Sequence, residues 1–298
     1  MEIIVAENAG LCFGVRRALE IVARAAETKS RPVRTLGALI HNPQEIERLE
    51  AQGVHRVESL DEAPSGAVVL SAHGVDPKVE EEAAARGLEV IDATCPFVRR
   101  AHAHIRTLAE EGYSVVILGD PGHREVAGLA ARAGGKAEIV TNAQEAEALP
   151  FRDRYGLVVQ TTQRSEALRE VAGALAERCR ELRVFNTICE ATVGRQESAR
   201  QLAERVDVML VVGGRNSANT ARLREICEAT GTPTHHIETA EELDGNWVAG
   251  AQRVGVTAGA STPAWIVEEV VGRLGEVGSK SKVKSQKAKG TANDTAGG

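Results

Sequence analysis

The sequence predicts an α/β protein made of three similar small units, each built on a parallel sheet. Two observations carry that prediction. Short apolar, β-branched runs alternate with amphipathic stretches of helical period along most of the chain. A cysteine in the same setting also recurs at the spacing of one small α/β domain. LCFGVRRA, around Cys12, returns 83 residues later as TCPFVRRA, around Cys95, each with a Cys, two residues, then Val-Arg-Arg-Ala. A degraded third copy, ICEATVGRQ, places Cys189 94 residues further on, followed by Val193 and Arg195.

Each element has a local reason. EIIVAE opens the chain as a strand and leads to Cys12, after which VRRALEIVARAAE is amphipathic. TLGALIHN reads as a strand ending at His41, and Asn42-Pro43 offers a helix cap followed by a proline suited to the first turn. AVVLSAH is a strand ending at His73, and Gly87 stands where the next helix stops. LEVIDAT leads to Cys95, VRRAHAHIRTLAEEG forms the following helix, and Gly112 ends it. YSVVILGD, AEIVTN and YGLVVQTT are strands, and RSEALREVAGALAERC reads as a helix that includes Cys179. LRVFNTI leads to Cys189, and VDVMLVVGG is a further strand. TARLREICEATG is a helix that includes Cys227 and stops at Gly231. RVGVTAG is the last strand of the pattern, and Thr262-Pro263 offers a second cap and proline. Strands apolar on both faces and separated by helices belong to buried parallel sheets.

Composition narrows the class. Of 298 residues, 43% are hydrophobic and 26% charged, which is ordinary for a globular chain long enough for several cores. Aromatics are only 3%, so the cores must rest on Val, Leu, Ile and Ala. Five widely spaced cysteines fit no secreted disulfide framework. MEIIVAENAG has neither a basic region nor a long apolar run, and no stretch is long enough to span a membrane. The reading is a cytoplasmic protein with reduced thiols and no membrane partner. Net charge is −6, and residues 279–298 hold five Lys and one Asp, which leaves the body at −10. An acidic body poor in aromatics argues against a nucleic-acid surface. The Lys-rich tail 279–298 has almost nothing apolar to bury and is expected to be disordered.

The repeats point to chemistry. Each repeated Cys follows a strand and begins a helix, and ligands in open α/β sheets gather outside the carboxyl ends of strands. Three such ends facing one another make a central site of three thiolates, which the helix N-termini favour. Three thiolates can hold zinc with a histidine, or an iron–sulfur cluster with one iron open. Other strand ends carry His41, His73, His123, Glu125, Thr161, Thr162, Ser217, Asn219, Ser261 and Thr262, with Gly213 and Gly214 beside them. Such histidines, hydroxyls and amides suit phosphate oxygens, and Glu125 can supply a proton near a metal. Together these point to reductive chemistry on a phosphorylated small molecule. Cys179, Cys227, His55, His102, His104, His235 and His236 lack the repeated setting and read as structural. The Arg16-Arg17 and Arg99-Arg100 pairs read as helix faces, solvated or paired across units.

With IHN, SAHG, GHREV, QTT, NSAN and TAGAS standing in order around the three cysteines, the chain resembles the 4-hydroxy-3-methylbut-2-enyl diphosphate reductase family of the LytB type. The resemblance runs from Ile3 to about Leu274. It implies a pseudo-threefold cloverleaf around one [4Fe–4S] cluster, held by Cys12, Cys95 and Cys189. It also implies that the first strand joins the last unit, so that the units are 14–96, 97–188, and 189–278 with 1–13. The implied reaction removes the substrate hydroxyl as water with two electrons and two protons. The fourth iron takes the hydroxyl oxygen, and the products are isopentenyl and dimethylallyl diphosphate. His41, His73 and His123 are implied to bind diphosphate with Ser217, Asn219 and Ser261. Glu125 is implied as the proton source, relayed through Thr161. The implied partner is an external electron donor of ferredoxin or flavodoxin type, and the reading is a monomer. The family often has a serine where this chain has Ala218, whose backbone N–H can still meet a phosphate. Two other classes remain to be weighed. One is a non-catalytic iron–sulfur redox sensor or electron carrier; the other is a zinc phosphoester hydrolase with Glu125 as base.

Overall fold

The computed structural model describes residues 1–28, 31–278 and 282–285. Its elements follow in the order β1 (Glu2–Val5), α1 (Phe13–Thr28), β2 (Val33–Leu36), α2 (Pro43–Ala51), β3 (His55–Val57), β4 (Ala67–Leu70), α3 (Pro77–Ala85) and β5 (Glu89–Asp92). Then come α4 (Pro96–Glu110), β6 (Ser114–Leu118), α5 (Arg124–Arg132), β7 (Glu138–Val140), α6 (Ala143–Glu147), β8 (Arg152–Val159), α7 (Ser165–Ala176) and β9 (Cys179–Phe185). Last are α8 (Glu190–Ala203), β10 (Val208–Val212), α9 (Ala218–Glu228), β11 (Thr234–Ile237), β12 (Arg253–Ala258), α10 (Ala264–Val277) and β13 (Lys282–Ser285).

These strands form three sheets, ordered β3-β2-β4-β5, β7-β6-β8-β9 and β11-β10-β12-β1-β13. Every pairing among them is parallel. The apolar runs of the central strands are continuous because both faces are covered. Alternate residues of β4 enter two separate clusters, Ala67 and Val69 on one face and Val68 and Leu70 on the other. Val116 and Leu118 of β6 part from Val115 and Ile117 in the same way. So do Val208, Leu210 and Val212 of β10 from Met209 and Val211. Period-two side-chain direction thus gives each unit a double core.

The local signals acted as the physics requires at most positions. Asn42 caps α2, its side chain accepting from the Glu45 N–H at 2.8 Å, with Pro43 in the first turn. Gly87, Gly112 and Gly231 follow helix ends with φ of 71°, 79° and 81°, the left-handed conformation that glycine adopts without steric cost.

Three expectations are corrected. Cys179 opens β9 and does not lie in a helix: α7 ends at Ala176, and the chain pairs Cys179 with Arg152 of β8. Thr262 does not cap α10, where Pro263 is the N-cap residue and no side chain caps. The Thr262 hydroxyl donates instead to the Val212 carbonyl at 3.1 Å, because the chain there crosses the end of β10. The tail 279–298 was expected to carry no structure, yet Lys282–Ser285 is a strand in register with Glu2–Val5. Backbone pairing with an otherwise open strand edge needs no apolar side chain. The rest of that tail lies outside the described residues. No helix among the described residues is long and apolar enough to cross a membrane.

Candidate active site

Each repeated cysteine stands at the mouth of a helix. Cys12 immediately precedes α1, and Cys95 and Cys189 are the N-cap residues of α4 and α8. All three thiols are free and partly exposed, and all three line one cavity of ≈ 90 Å³. Gly14 shows how closely they converge. A Cβ on Gly14 would lie 2.5 Å from the Cys95 Sγ and 4.0 Å from the Cys12 Sγ, so the glycine leaves the space the sulfurs use. Helix N–H groups of Phe97 and Val98 pull the Cys95 thiol pKa down, as those of Ala191 and Thr192 do for Cys189, but burial outweighs them and pushes both thiols up.

The donor set can hold a cluster. The cysteines stand around a cavity, with no fourth thiol in its wall. Three soft ligands and one position left to a non-protein ligand match a cubane cluster with an open iron.

The phosphate-type residues share the cavity. His41, His73 and His123 follow β2, β4 and β6, and their ring centroids lie 4.2, 5.2 and 5.6 Å apart in pairs. Burial is the main cause that holds all three neutral: it lowers His41 to about 4 and also depresses His73 and His123. Arg124 and neighbouring imidazoles add to the effect at His41 and His73. His123 caps α5, its Nδ1 accepting from the Glu125 N–H at 3.1 Å. In the neutral ring the proton therefore sits on Nε2, free to donate. Among the described residues, buried His41 Nε2, His73 Nδ1 and the Nδ2 and Oδ1 of Asn219 have no partner. Imidazole and amide N–H groups left unpaired this deep can donate to an anionic ligand.

Ser217 caps α9, accepting from Thr220 N–H at 3.3 Å, and Ser217, Ala218, Asn219 and Ser261 all line the cavity. Ala218 is the first residue of α9, so its N–H belongs to a helix N-terminus that favours anions. Gly214 is needed behind this loop, since a Cβ there would lie 2.6 Å from the His41 carbonyl oxygen.

Glu125 lies in the first turn of α5 and is 2% exposed. Its Oε1 accepts from the Thr161 N–H at 2.6 Å and its Oε2 from the Thr161 hydroxyl at 2.8 Å. Burial outweighs these bonds and the pull of Arg222, and raises its pKa to about 7. Thr162, the neighbouring candidate, instead accepts from Gln160 Nε2 at 3.0 Å.

Two arginines at the site escaped the sequence reading as functional residues. Arg195 lines the cavity and is 3% exposed. Its place in the degraded third repeat, one residue further from its cysteine than Arg17 and Arg100 are from theirs, is the available signal. Arg222 joins two units, gripping Asp120 with Nη2 at 2.7 and 2.9 Å and Gln163 with Nε at 3.2 Å. No periodicity marks it. Cys227 is buried in α9, and Cys179 and the five remaining histidines do not line the cavity.

Residues 3–275 match the family described as LytB protein. The chain is 48% identical to the 4-hydroxy-3-methylbut-2-enyl diphosphate reductase of Pelobacter propionicus, over 94% of this chain and all of that one. It is 48% identical to the enzyme of that name in Geobacter sulfurreducens, over 95% of this chain and all of that one. Among solved structures it resembles an (E)-4-hydroxy-3-methyl-but-2-enyl diphosphate reductase described as the terminal enzyme of the non-mevalonate pathway, with TM-score 0.69 and 44% identity over 93% of this chain and all of that one. It also resembles the corresponding reductase of Plasmodium falciparum, with TM-score 0.91 and 25% identity over 98% of this chain and 94% of that one.

Proposed function

The chain belongs to the LytB protein family and is an oxidoreductase, and we propose that it reduces 4-hydroxy-3-methylbut-2-enyl diphosphate to isopentenyl and dimethylallyl diphosphate. The proposal includes a [4Fe–4S] cluster held by Cys12, Cys95 and Cys189, and an external electron donor of ferredoxin or flavodoxin type. It includes the division into units 14–96, 97–188, and 189–278 with 1–13. The observation that carries it is the content of one cavity: three thiols, a buried protonatable carboxyl, and imidazole and amide groups without partners.

When bound, the cluster supplies electrons and a Lewis-acidic iron. The residues of this chain do the rest. His41, His73 and Asn219 offer unpaired donors to diphosphate oxygens, and His123 offers its Nε2–H. Ser217 and Ser261 offer hydroxyls from the opposite unit, and Ala218 its helix-terminal N–H. Fixing the diphosphate at this end folds the short carbon chain back toward the thiols. Glu125 keeps a proton to near pH 7 because it is buried, and it lines the cavity together with Thr161, whose hydroxyl is hydrogen-bonded to it. One proton passes from Glu125 through Thr161 to the leaving hydroxyl, which departs as water. A second proton ends on carbon, and two electrons balance the reaction.

Anaerobic purification, iron and sulfide assay, and product analysis with a chemical reductant test this reading. A brown protein that forms both isoprenoid diphosphates is expected. Cys12→Ser, Cys95→Ser and Cys189→Ser should each lose cluster iron and turnover, whereas Cys227→Ser should keep both. A brown protein that neither binds nor reduces the diphosphate would return the chain to the carrier or sensor class.

A further inference from the structure

The three arginines that end the repeated motifs have different fates. Arg17 donates to the Thr94 carbonyl at 3.3 Å and Arg100 lies 5.7 Å from the Phe97 ring. Arg195 alone of the three lines the cavity, and it is 3% exposed. Its Nη2 donates to the Gly10 carbonyl at 2.7 Å and its Nη1 to the Ala191 carbonyl at 3.2 Å, while Nε has no partner. Gly10 precedes Cys12 by two residues and Ala191 follows Cys189 by two, so one guanidinium spans two cysteine turns.

Arg222 makes the contrast clear. It is buried to a similar degree, but a carboxylate grips it through two hydrogen bonds. Among the described residues Arg195 has only neutral carbonyls as hydrogen-bond partners, and it lines the same cavity as the thiols of Cys12 and Cys189. A buried cation without a counter-charge is costly to keep, and an apolar side chain of that volume would cost less. The charge is therefore retained for an anion that the cavity receives.

We propose that Arg195 is the counter-cation of the metal cluster held by Cys12, Cys95 and Cys189, a positioning residue that makes the site easier to reduce. This rests on the reading given under Proposed function. Each electron arriving from a one-electron donor, which is oxidised in turn, adds one negative charge beside Arg195. A fixed cation there offsets part of that charge and raises the reduction potential.

The test uses the anaerobically purified holoenzyme and its R195K, R195Q and R195M variants. Iron content, thermal midpoint and a spectroscopically monitored redox titration are measured for each. The potential of the cluster-loaded fraction is expected to fall in R195M and R195Q and to stay near wild type in R195K, which keeps the charge. Should R195M not fold, R195Q against R195K decides the same point. A loaded R195M or R195Q with the wild-type potential overturns the proposal, whatever its stability, and leaves Arg195 a structural clamp. So does an R195K whose potential falls as far as that of R195Q. A wild-type protein without an iron–sulfur spectrum defeats the underlying reading instead, so the two failures are distinct.

Discussion

Thr161 donates both its backbone N–H and its hydroxyl to the carboxylate of Glu125, at 2.6 and 2.8 Å. The two residues come from different strand ends of the same sheet, after β6 and β8, which are neighbours. A carboxylate so well supplied with donors would ordinarily be a stronger acid. Here burial wins, and the pair holds a proton near neutrality where a cavity hydroxyl can receive it.

Glu125 should therefore impose a pH limb on turnover. Its folded pKa of about 7 lies above the ordinary 4.5, so its neutral form is favoured by the fold. The stability it contributes is fully present below pH 4.5 and is lost as pH rises through about 7. The protonated fraction falls across the same range, so turnover with a chemical reductant should decline as pH rises through about 7. Glu125→Gln should keep its iron, lose most turnover and lose that limb. Near-normal rates in this variant would remove Glu125 from the proton path.

Gly14→Ala separates folding from cluster loading. Alanine in a helix is favoured over glycine by up to about 1 kcal/mol. The added Cβ, however, would stand 2.5 Å from the Cys95 Sγ. We expect a chain that still folds, with its melting temperature before loading lowered to the extent that the Cys95 side chain must give way, and with a large loss of bound iron. Full iron content in Gly14→Ala would mean that the thiols do not converge on this space.

The unpartnered imidazoles predict the affinity for diphosphate. A hydrogen bond to a charged group contributes about 1.5–3 kcal/mol, or roughly 10- to 100-fold in binding. His41→Ala and His73→Ala should each weaken inorganic diphosphate binding by about that factor, with the cluster spectrum unchanged. Calorimetry on the loaded protein reads this directly, and equal affinities in wild type and variants would return both histidines to a packing role.

Asp120 and Arg222 join the second sheet to the helix that carries Ser217 and Asn219. The Arg222 side chain is 8% exposed and that of Asp120 is 40% exposed. Breaking a fully buried pair costs about 3–5 kcal/mol, and partial exposure of Asp120 brings this to roughly 1–2 kcal/mol. Asp120→Asn should lower the thermal midpoint by a few degrees and raise KM for the diphosphate more than it lowers kcat. A variant with unchanged KM would show that α9 is held by other contacts.

Much of this site is legible in the chain itself. Cys12, Cys95 and Cys189 stand out because strand and helix periods meet at each, and that meeting is a local property. His41, His73, His123, Glu125 and Thr161 follow apolar runs whose direction is fixed once the sheets are parallel. The caps and helix stops at Asn42, Gly87, Gly112 and Gly231 depend on a few neighbouring dihedrals. Where local signals compete, the reading failed: Cys179 carried a helical pattern, but pairing with β8 drew it into a strand.

What only the tertiary structure decided is long-range. Pairing of β13 with β1 depends on which strand edge is left open, and no window of sequence contains both. Arg17 follows Cys12 by five residues and Arg195 follows Cys189 by six, and only Arg195 lines the cavity, while Arg17 donates to the Thr94 carbonyl outside it. Asp120 and Arg222, 102 residues apart, meet because two sheets turn their carboxyl ends toward each other. Periodicity fixes which face of an element is apolar, but it holds no information about which distant charge that face will meet. That choice is made by packing, which brings a carboxylate to Arg222 and only neutral carbonyls to Arg195, and so decides how much each buried charge costs.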